Sequence, residues 1–281
     1  MQVVDTILID LISLLQPHLI PAGLGVFVGL IMALTGAGGG ILSVPLLVFV
    51  LHLPMVEASP IGLLAVTVAS ALGAILALRT GLLRYRAATL LAFAGLLLSP
   101  VGLWLAHQIP NQPLMLIFAI VLLYVTGRIF VEAYQQSNGI FKEPKAVPCY
   151  LDLSIGRLIW TVPCARALIG SGALAGFLSG LLGVGGGFVI VPALKRISDL
   201  PMQSIVATSL GVLSLISLGG VAGSGLAGTM NWLVAIPFAF GAITGMMAGR
   251  LIAPKVSSQW TQLISAGFSG LVAIGLIMKA L

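Results

Sequence analysis

A constant shift of 147 residues carries most glycines in the first half of this chain onto glycines in the second. Gly23, Gly25, Gly29, Gly36, Gly38, Gly39, Gly40, Gly73, Gly81 and Gly102 fall on Gly170, Gly172, Gly176, Gly183, Gly185, Gly186, Gly187, Gly220, Gly228 and Gly249. These are ten of the thirteen glycines in residues 1–134, where composition alone would match about two. Val44-Pro45 falls on Val191-Pro192, Leu53-Pro54-Met55 on Leu200-Pro201-Met202, and Ser70 on Ser217. The chain is an internal duplication, one unit written twice.

The unit belongs in lipid. Of 281 residues, 59% are hydrophobic and 7% charged, with mean hydropathy +1.18. Several apolar runs exceed the ~18 residues that mark a spanning helix. They are unlike the alternating ~10-residue segments of an outer-membrane barrel. An all-α, multi-pass integral membrane protein of the cell (inner) membrane is expected, with the lipid bilayer as its first partner. The start, MQVVDTILIDLISLLQPHLIP, carries Asp5 and Asp10 but no Lys or Arg, so no cleaved signal peptide is expected. Basic residues are not interleaved with aromatics outside the membrane, which argues against a nucleic-acid partner.

Three parts follow: a first membrane repeat over 1–134, a cytoplasmic linker over 135–165, and a second membrane repeat over 166–281. The linker, QQSNGIFKEPKAVPCYLDLSIGRLIWTVPCA, is polar and proline-containing. A short surface helix is expected near LDLSIGRLIW, with Trp160 at the interface. Cys149 and Cys164 have no zinc-like spacing and are expected as free thiols. Spans are predicted at 18–34, 58–78, 87–107, 112–134, 166–182, 204–227, 231–250 and 258–280. Short segments at 41–53 and 187–198 follow the glycine clusters.

Charge separates two topologies. If each glycine-broken region crosses once, the copies are parallel and Lys and Arg split 9:4 between the faces. If each region makes a hairpin, the copies are inverted and the split is 12:1, with Lys279 alone on the outer face. Basic residues favour the cytoplasmic face, so the expectation is two inverted repeats. Each is a glycine-broken, re-entrant or discontinuous helix pair plus three transmembrane helices, with both termini outside.

In that arrangement residues 36–40 form a hairpin tip, and a short helix starts near Ile41 with Pro45 early in it. Free N–H groups at a helix start carry the positive end of the helix dipole, and glycine lets a ligand approach the backbone closely. Two such tips from opposite leaflets make a cradle for a small anion. The candidate residues are Thr35, Gly36, Gly38, Gly39, Gly40, Ser43 and Pro45 in the first copy, and Gly183, Gly185, Gly186, Gly187 and Pro192 in the second. Thr208 and Ser209 add hydroxyls, with Thr67, Ser70, Ser179, Ser214 and Ser217 as further donors; at the matched positions of the first copy the nearest polar or irregular residues are Ser59 and Pro60. For Gly23, Gly29, Gly170 and Gly176 the simpler account is close helix packing.

Other polar residues have plainer roles. Arg79, Arg84 and Arg86 set topology, and Arg128 with Glu132 reads as a helix-end pair. His18, His52, His107 and Glu57 fall near the outer surface, and Trp104, Trp232 and Trp260 at segment ends. No Asp, Glu or His falls near the middle of a predicted span. A membrane-embedded enzyme would need such groups at depth, so no enzyme, cofactor or metal is expected.

GAGGGILSVPLL and GVGGGFVIVPAL, each followed by LPM, with VATSLGVL, Gly228 and Gly249, resemble the duplicated signature of the TauE/SafE family over about residues 20–280. The resemblance implies a permease for small sulfur-containing anions such as sulfite or organosulfonates. It points to the two glycine clusters, the two prolines, Thr208 and Ser209. The first copy departs at Ser59-Pro60-Ile61-Gly62, where the polar pair is missing. Alternatives are a small-anion channel and a non-transporting membrane assembly component. The sequence leaves a homo-oligomer open.

Overall fold

The computed structural model of the protein describes residues 2–36, 38–137, 148–152, 157–158, 161–226, 228, 230–252, 267 and 269–278. The first repeat holds α1 (Gln2–Thr35), α2 (Gly38–Val50), α3 (Met55–Arg79), α4 (Tyr85–Gln108) and α5 (Asn111–Ser137). The second holds α6 (Val162–Leu182), α7 (Gly187–Ile197), α8 (Met202–Leu226) and α9 (Trp232–Ile252), then α10 (Ser269–Met278). Seven of these, α1, α3, α4, α5, α6, α8 and α9, are long and apolar enough to cross a membrane. The start of the predicted 258–280 span, with Trp260, lies outside the described residues, as do Trp160, Lys142, Lys145, Lys255 and Lys279.

Both copies break their first helix by the same local chemistry. The Gly36 N–H donates to Met32 O and the Gly183 N–H to Ser179 O, both at 2.8 Å. Both glycines then turn left-handed, at φ 76° and 70°, the ending glycine tolerates at no Cβ penalty. The short helices start earlier than expected in the first copy, at Gly38 rather than near Ile41. One left-handed glycine suffices for the break, so Gly38, Gly39 and Gly40 are taken into the helix. Pro45 and Pro192 therefore lie inside α2 and α7 rather than in their first turns. There a proline removes an i→i−4 hydrogen bond.

Each short helix folds back along the helix before it. A methyl at Gly39 would strike Val28 O, and one at Gly186 would strike Ala175 O, eleven residues upstream in both cases. Strands Leu151–Asp152 and Arg157–Leu158 pair antiparallel in the linker. They stand where the surface helix was expected, in a register that pairs Asp152 with Arg157; the rest of LDLSIGRLIW lies outside the described residues.

The cysteines are joined rather than free. The Cys149 N–H donates to Ile197 O at 3.0 Å, and Thr161 Oγ1 donates to Pro148 O at 2.9 Å. These bonds bring Cys149 to 4.9 Å, Cα to Cα, from Cys164, and a disulfide closes the gap. The end of α7 is thereby held at the start of α6, so this helix pair leaves and returns at one end of the molecule. Thr161 also caps α6, accepting from the Cys164 N–H with Pro163 in the first turn.

Tertiary packing crosses the repeats. Helix α1 packs on α9, α4 on α6, and α3 on α8. Glycines bring these pairs to backbone contact. Gly25 and Gly29 lie on Phe238 O and Ala242 O; Gly172 and Gly176 lie on Leu91 O and Gly95 O. Subtracting or adding 147 turns each contact into its counterpart. Gly102 on Phe177 O and Gly249 on Leu30 O obey the same rule. Pairs α1/α9 and α4/α6 are parallel by these contacts. The equivalent helices α3 and α8 run antiparallel, since Gly73 meets Leu210 while Gly220 meets Leu63. Close packing therefore accounts for Gly29 and Gly176, but Gly23 and Gly170 have nothing within 4 Å of a methyl placed on them. Large side chains such as Leu97, Trp104, Phe240 and Leu251 point outward, the reverse of a soluble core and suited to lipid.

Candidate functional site

The two glycine clusters meet. A methyl on Gly40 would lie 2.8 Å from Val184 O, so the start of α2 touches the loop that opens α7. Val66 of α3 contacts both, facing Gly40 and Gly185. Its counterpart at +147, Leu213 of α8, also faces Gly185. Gly36 rests on Val206, and Gly183 on Ser59, again a pair related by the shift.

The second cluster is the more distorted. Gly183, Gly185 and Gly186 are all left-handed, with φ 70°, 77° and 71°. Among the described residues, no acceptor is found for the N–H groups of Val184, Gly185, Gly186, Gly187 and Phe188, all buried. The first N–H to be used is that of Val189, which donates to Gly186 O at 3.1 Å. Buried N–H groups are almost always paired, so a run of unpaired ones at a helix start is a place for an acceptor from outside the chain. The neighbours of these glycines, Ser59, Val66, Ala175, Leu213 and Ser217, are uncharged.

Hydroxyls expected at the site divide. Ser209 Oγ donates to Val206 O at 2.8 Å and approaches Gly36 O at 3.4 Å, so it belongs to the first cluster. Ser43 Oγ donates to Gly40 O at 2.7 Å and packs on Gly62, and Thr35 Oγ1 donates to Ile31 O at 2.8 Å. Thr208 is elsewhere: its Oγ1 accepts the Arg84 N–H at 3.2 Å, where α4 begins. It caps a neighbouring helix instead of facing the glycines. Ser217 Oγ is buried with no partner, 2.8 Å from where a methyl on Gly185 would stand.

Two features have no sequence signal. A cavity of about 20 Å³, room for about one water, lies between the start of α3 and the ends of α4, α6 and α8; Met55, Ser59, Leu103, His107, Leu182 and Ser224 line it. His107 Nδ1 donates to Leu103 O at 2.8 Å. At the opposite end the residue equivalent to Leu103 is Arg250, whose Nη2 donates to Gly73 O at 2.8 Å. Leucine and arginine at equivalent positions are the clearest asymmetry between the copies.

A "Probable membrane transporter protein" of Xylella fastidiosa is 28% identical over 253 residues, covering 87% of this chain and 88% of its own. The "Probable membrane transporter protein YunE" of Bacillus subtilis is 26% identical over 243 residues, 84% of this chain and 88% of its own. A protein of Methanocaldococcus jannaschii with the same descriptive name is 35% identical over 97 residues, 30% of this chain and 36% of its own. No solved structure matches. The family described as sulfite exporter TauE/SafE matches residues 21–276, nearly the whole membrane body that carries both glycine clusters, and the chain belongs to that family.

Proposed function

We propose that the protein is a secondary transporter that carries a small anion, sulfite or an organosulfonate, across the cell (inner) membrane. The anion binds where the two glycine clusters meet, and the copies act as inverted repeats that expose it to each side in turn. The observation that carries this reading is the run of buried, unpaired N–H groups from Val184 to Phe188, lying against Gly40 of the other copy. The antiparallel course of α3 and α8 and the return of α7 to the start of α6 support inversion. The relatives named as membrane transporters support the class. With the basic face inward, the linker is cytoplasmic.

Counterflow in proteoliposomes tests the mechanism, because only a carrier speeds entry of labelled sulfite when unlabelled sulfite is held inside. Equal entry with and without internal sulfite would indicate a channel. Binding is tested with sulfite, sulfate, thiosulfate, sulfoacetate, taurine and small carboxylates. Gly39→Val and Gly186→Val are expected to abolish binding, and retention of full affinity by both would move the site away from the clusters.

A further inference from the structure

We infer that Ser217 is the side-chain ligand of the bound anion, and that it completes an uncharged cradle selective for a singly charged oxyanion head such as a sulfonate. The inference rests on the anion-carrier reading above and names which chemistry that site accepts.

Ser217 is 0% exposed, yet its Oγ has no hydrogen-bond partner among the described residues. A helical serine ordinarily turns its hydroxyl onto a carbonyl of the preceding turn. Ser70, its counterpart in α3, does so with Val66 O and Thr67 O. Ser214, one turn earlier in α8, does so with Gly211 O at 2.8 Å. Ser217 has the same option and leaves it unused. Its Oγ instead stands against Gly185, beside the unpaired N–H groups of residues 184–188. An unmade hydrogen bond in a buried place costs stability, and the site that uses it recovers that cost when an acceptor arrives.

The donor set decides the ligand class. The Ser217 hydroxyl and the N–H groups of residues 184–188 are donors without acceptors among the described residues, while the Ala175 and Val184 carbonyls also border the glycines, so an entering group is held through its own acceptors, as the oxygens of a sulfonate are. Among the described residues, the nearest neighbours of the four left-handed glycines of the clusters, Ser59, Val66, Ala175, Val206, Leu213 and Ser217, are uncharged. Dipoles and hydroxyls must then replace the whole hydration shell. The cost of removing an ion from water rises about as the square of its charge, so a dianion pays roughly four times what a monoanion pays. Sulfate is therefore excluded where methanesulfonate is accepted.

The test uses purified full-length protein, with methanesulfonate, sulfite and sulfate as probes in thermal-shift and calorimetric titrations. Ser217→Ala is expected to weaken methanesulfonate binding about tenfold or more, the effect of losing one hydrogen bond to a charged group. It is also expected to raise the melting temperature of the ligand-free protein, because the buried hydroxyl is then gone. A serine that merely supports the helix would not move these two readouts in opposite directions. Ser171→Ala, which removes a hydroxyl that donates to Ala167 O outside the clusters, is expected to leave affinity unchanged. If the parent binds methanesulfonate and Ser217→Ala binds it within twofold, the assignment of Ser217 is overturned while the carrier reading stands. Sulfate binding as tight as methanesulfonate overturns the uncharged cradle. A parent that binds none of the probes removes the carrier reading and this inference together.

Discussion

Arg250 of α9 reaches across to α3 and donates from Nη2 to the carbonyl of Gly73 at 2.8 Å. Its counterpart in the other copy is Leu103, which lines a cavity with room for about one water. The same position thus leaves room at one end of the molecule and fills it with a half-buried guanidinium at the other. In the proposed carrier, this hydrogen bond is the expected closure of the basic end. A hydrogen bond from a charged donor contributes about 1.5–3 kcal/mol, enough to shift an open–closed balance by about tenfold or more. Arg250→Leu is expected to speed maleimide labelling of a thiol introduced by Ala77→Cys by about that factor in the disulfide-closed protein. An unchanged labelling rate would show that the guanidinium is not a closure.

The glycine seams allow a sharp contrast. Gly176 lies on Gly95 O and has no room for a methyl, whereas Gly170, on an outward face of the same helix, has nothing within 4 Å. Gly176→Ala is expected to cost about 1–3 kcal/mol through forced separation of α4 and α6. Gly170→Ala is expected to be neutral or stabilising, since alanine gains up to about 1 kcal/mol over glycine in a helix. Melting curves in detergent compare them, and equal behaviour would mean the seam is not close-packed.

Thr208→Val separates capping from binding. The change leaves the Arg84 N–H without its acceptor, a loss of about 1 kcal/mol, while anion affinity stays at the parent value. A large loss of affinity at unchanged stability would return Thr208 to the site.

The Cys149–Cys164 pair lies in the linker, on the face that carries Arg79, Arg84, Arg86, Lys195 and Arg196. In the proposed orientation that face meets the cytoplasm, which keeps thiols reduced. The pair is thus expected to be open in growing cells and closed after purification in air or under disulfide stress. Gel shift with a maleimide-polymer, applied to acid-quenched cells, reads the state directly. A bond that is fully closed in unstressed cells places the linker on the oxidising side and reverses the orientation.

Much of this was visible in the residues, for reasons that are local. Glycine at 36 and 183 breaks a helix by its own φ freedom, so the sites of the breaks and the doubling of the unit could be read directly. The length of the short helices could not. Gly38–Gly40 carry poor helix propensity but lie in α2, with Gly39 packed on Val28 and Gly40 on Val184, and Pro45 falls in the helix interior. Pairing partners were equally hidden, because nothing near Gly25 names Phe238, more than two hundred residues on. The disulfide depends on Cys149 being laid beside Ile197, a tertiary event. In the sequence Ser217 is one hydroxyl among several; only the fold satisfies its counterpart Ser70 and leaves Ser217 without a partner among the described residues.

The glycine seams join α1 of one copy to α9 of the other, and α4 to α6. A chain severed in the linker would therefore yield two fragments that each hold only one edge of both seams. Each fragment would enter lipid with a bare stripe of glycines and no surface of its own to cover it. Neither half is a fold by itself, and separately made halves should be rescued only by complementation with each other.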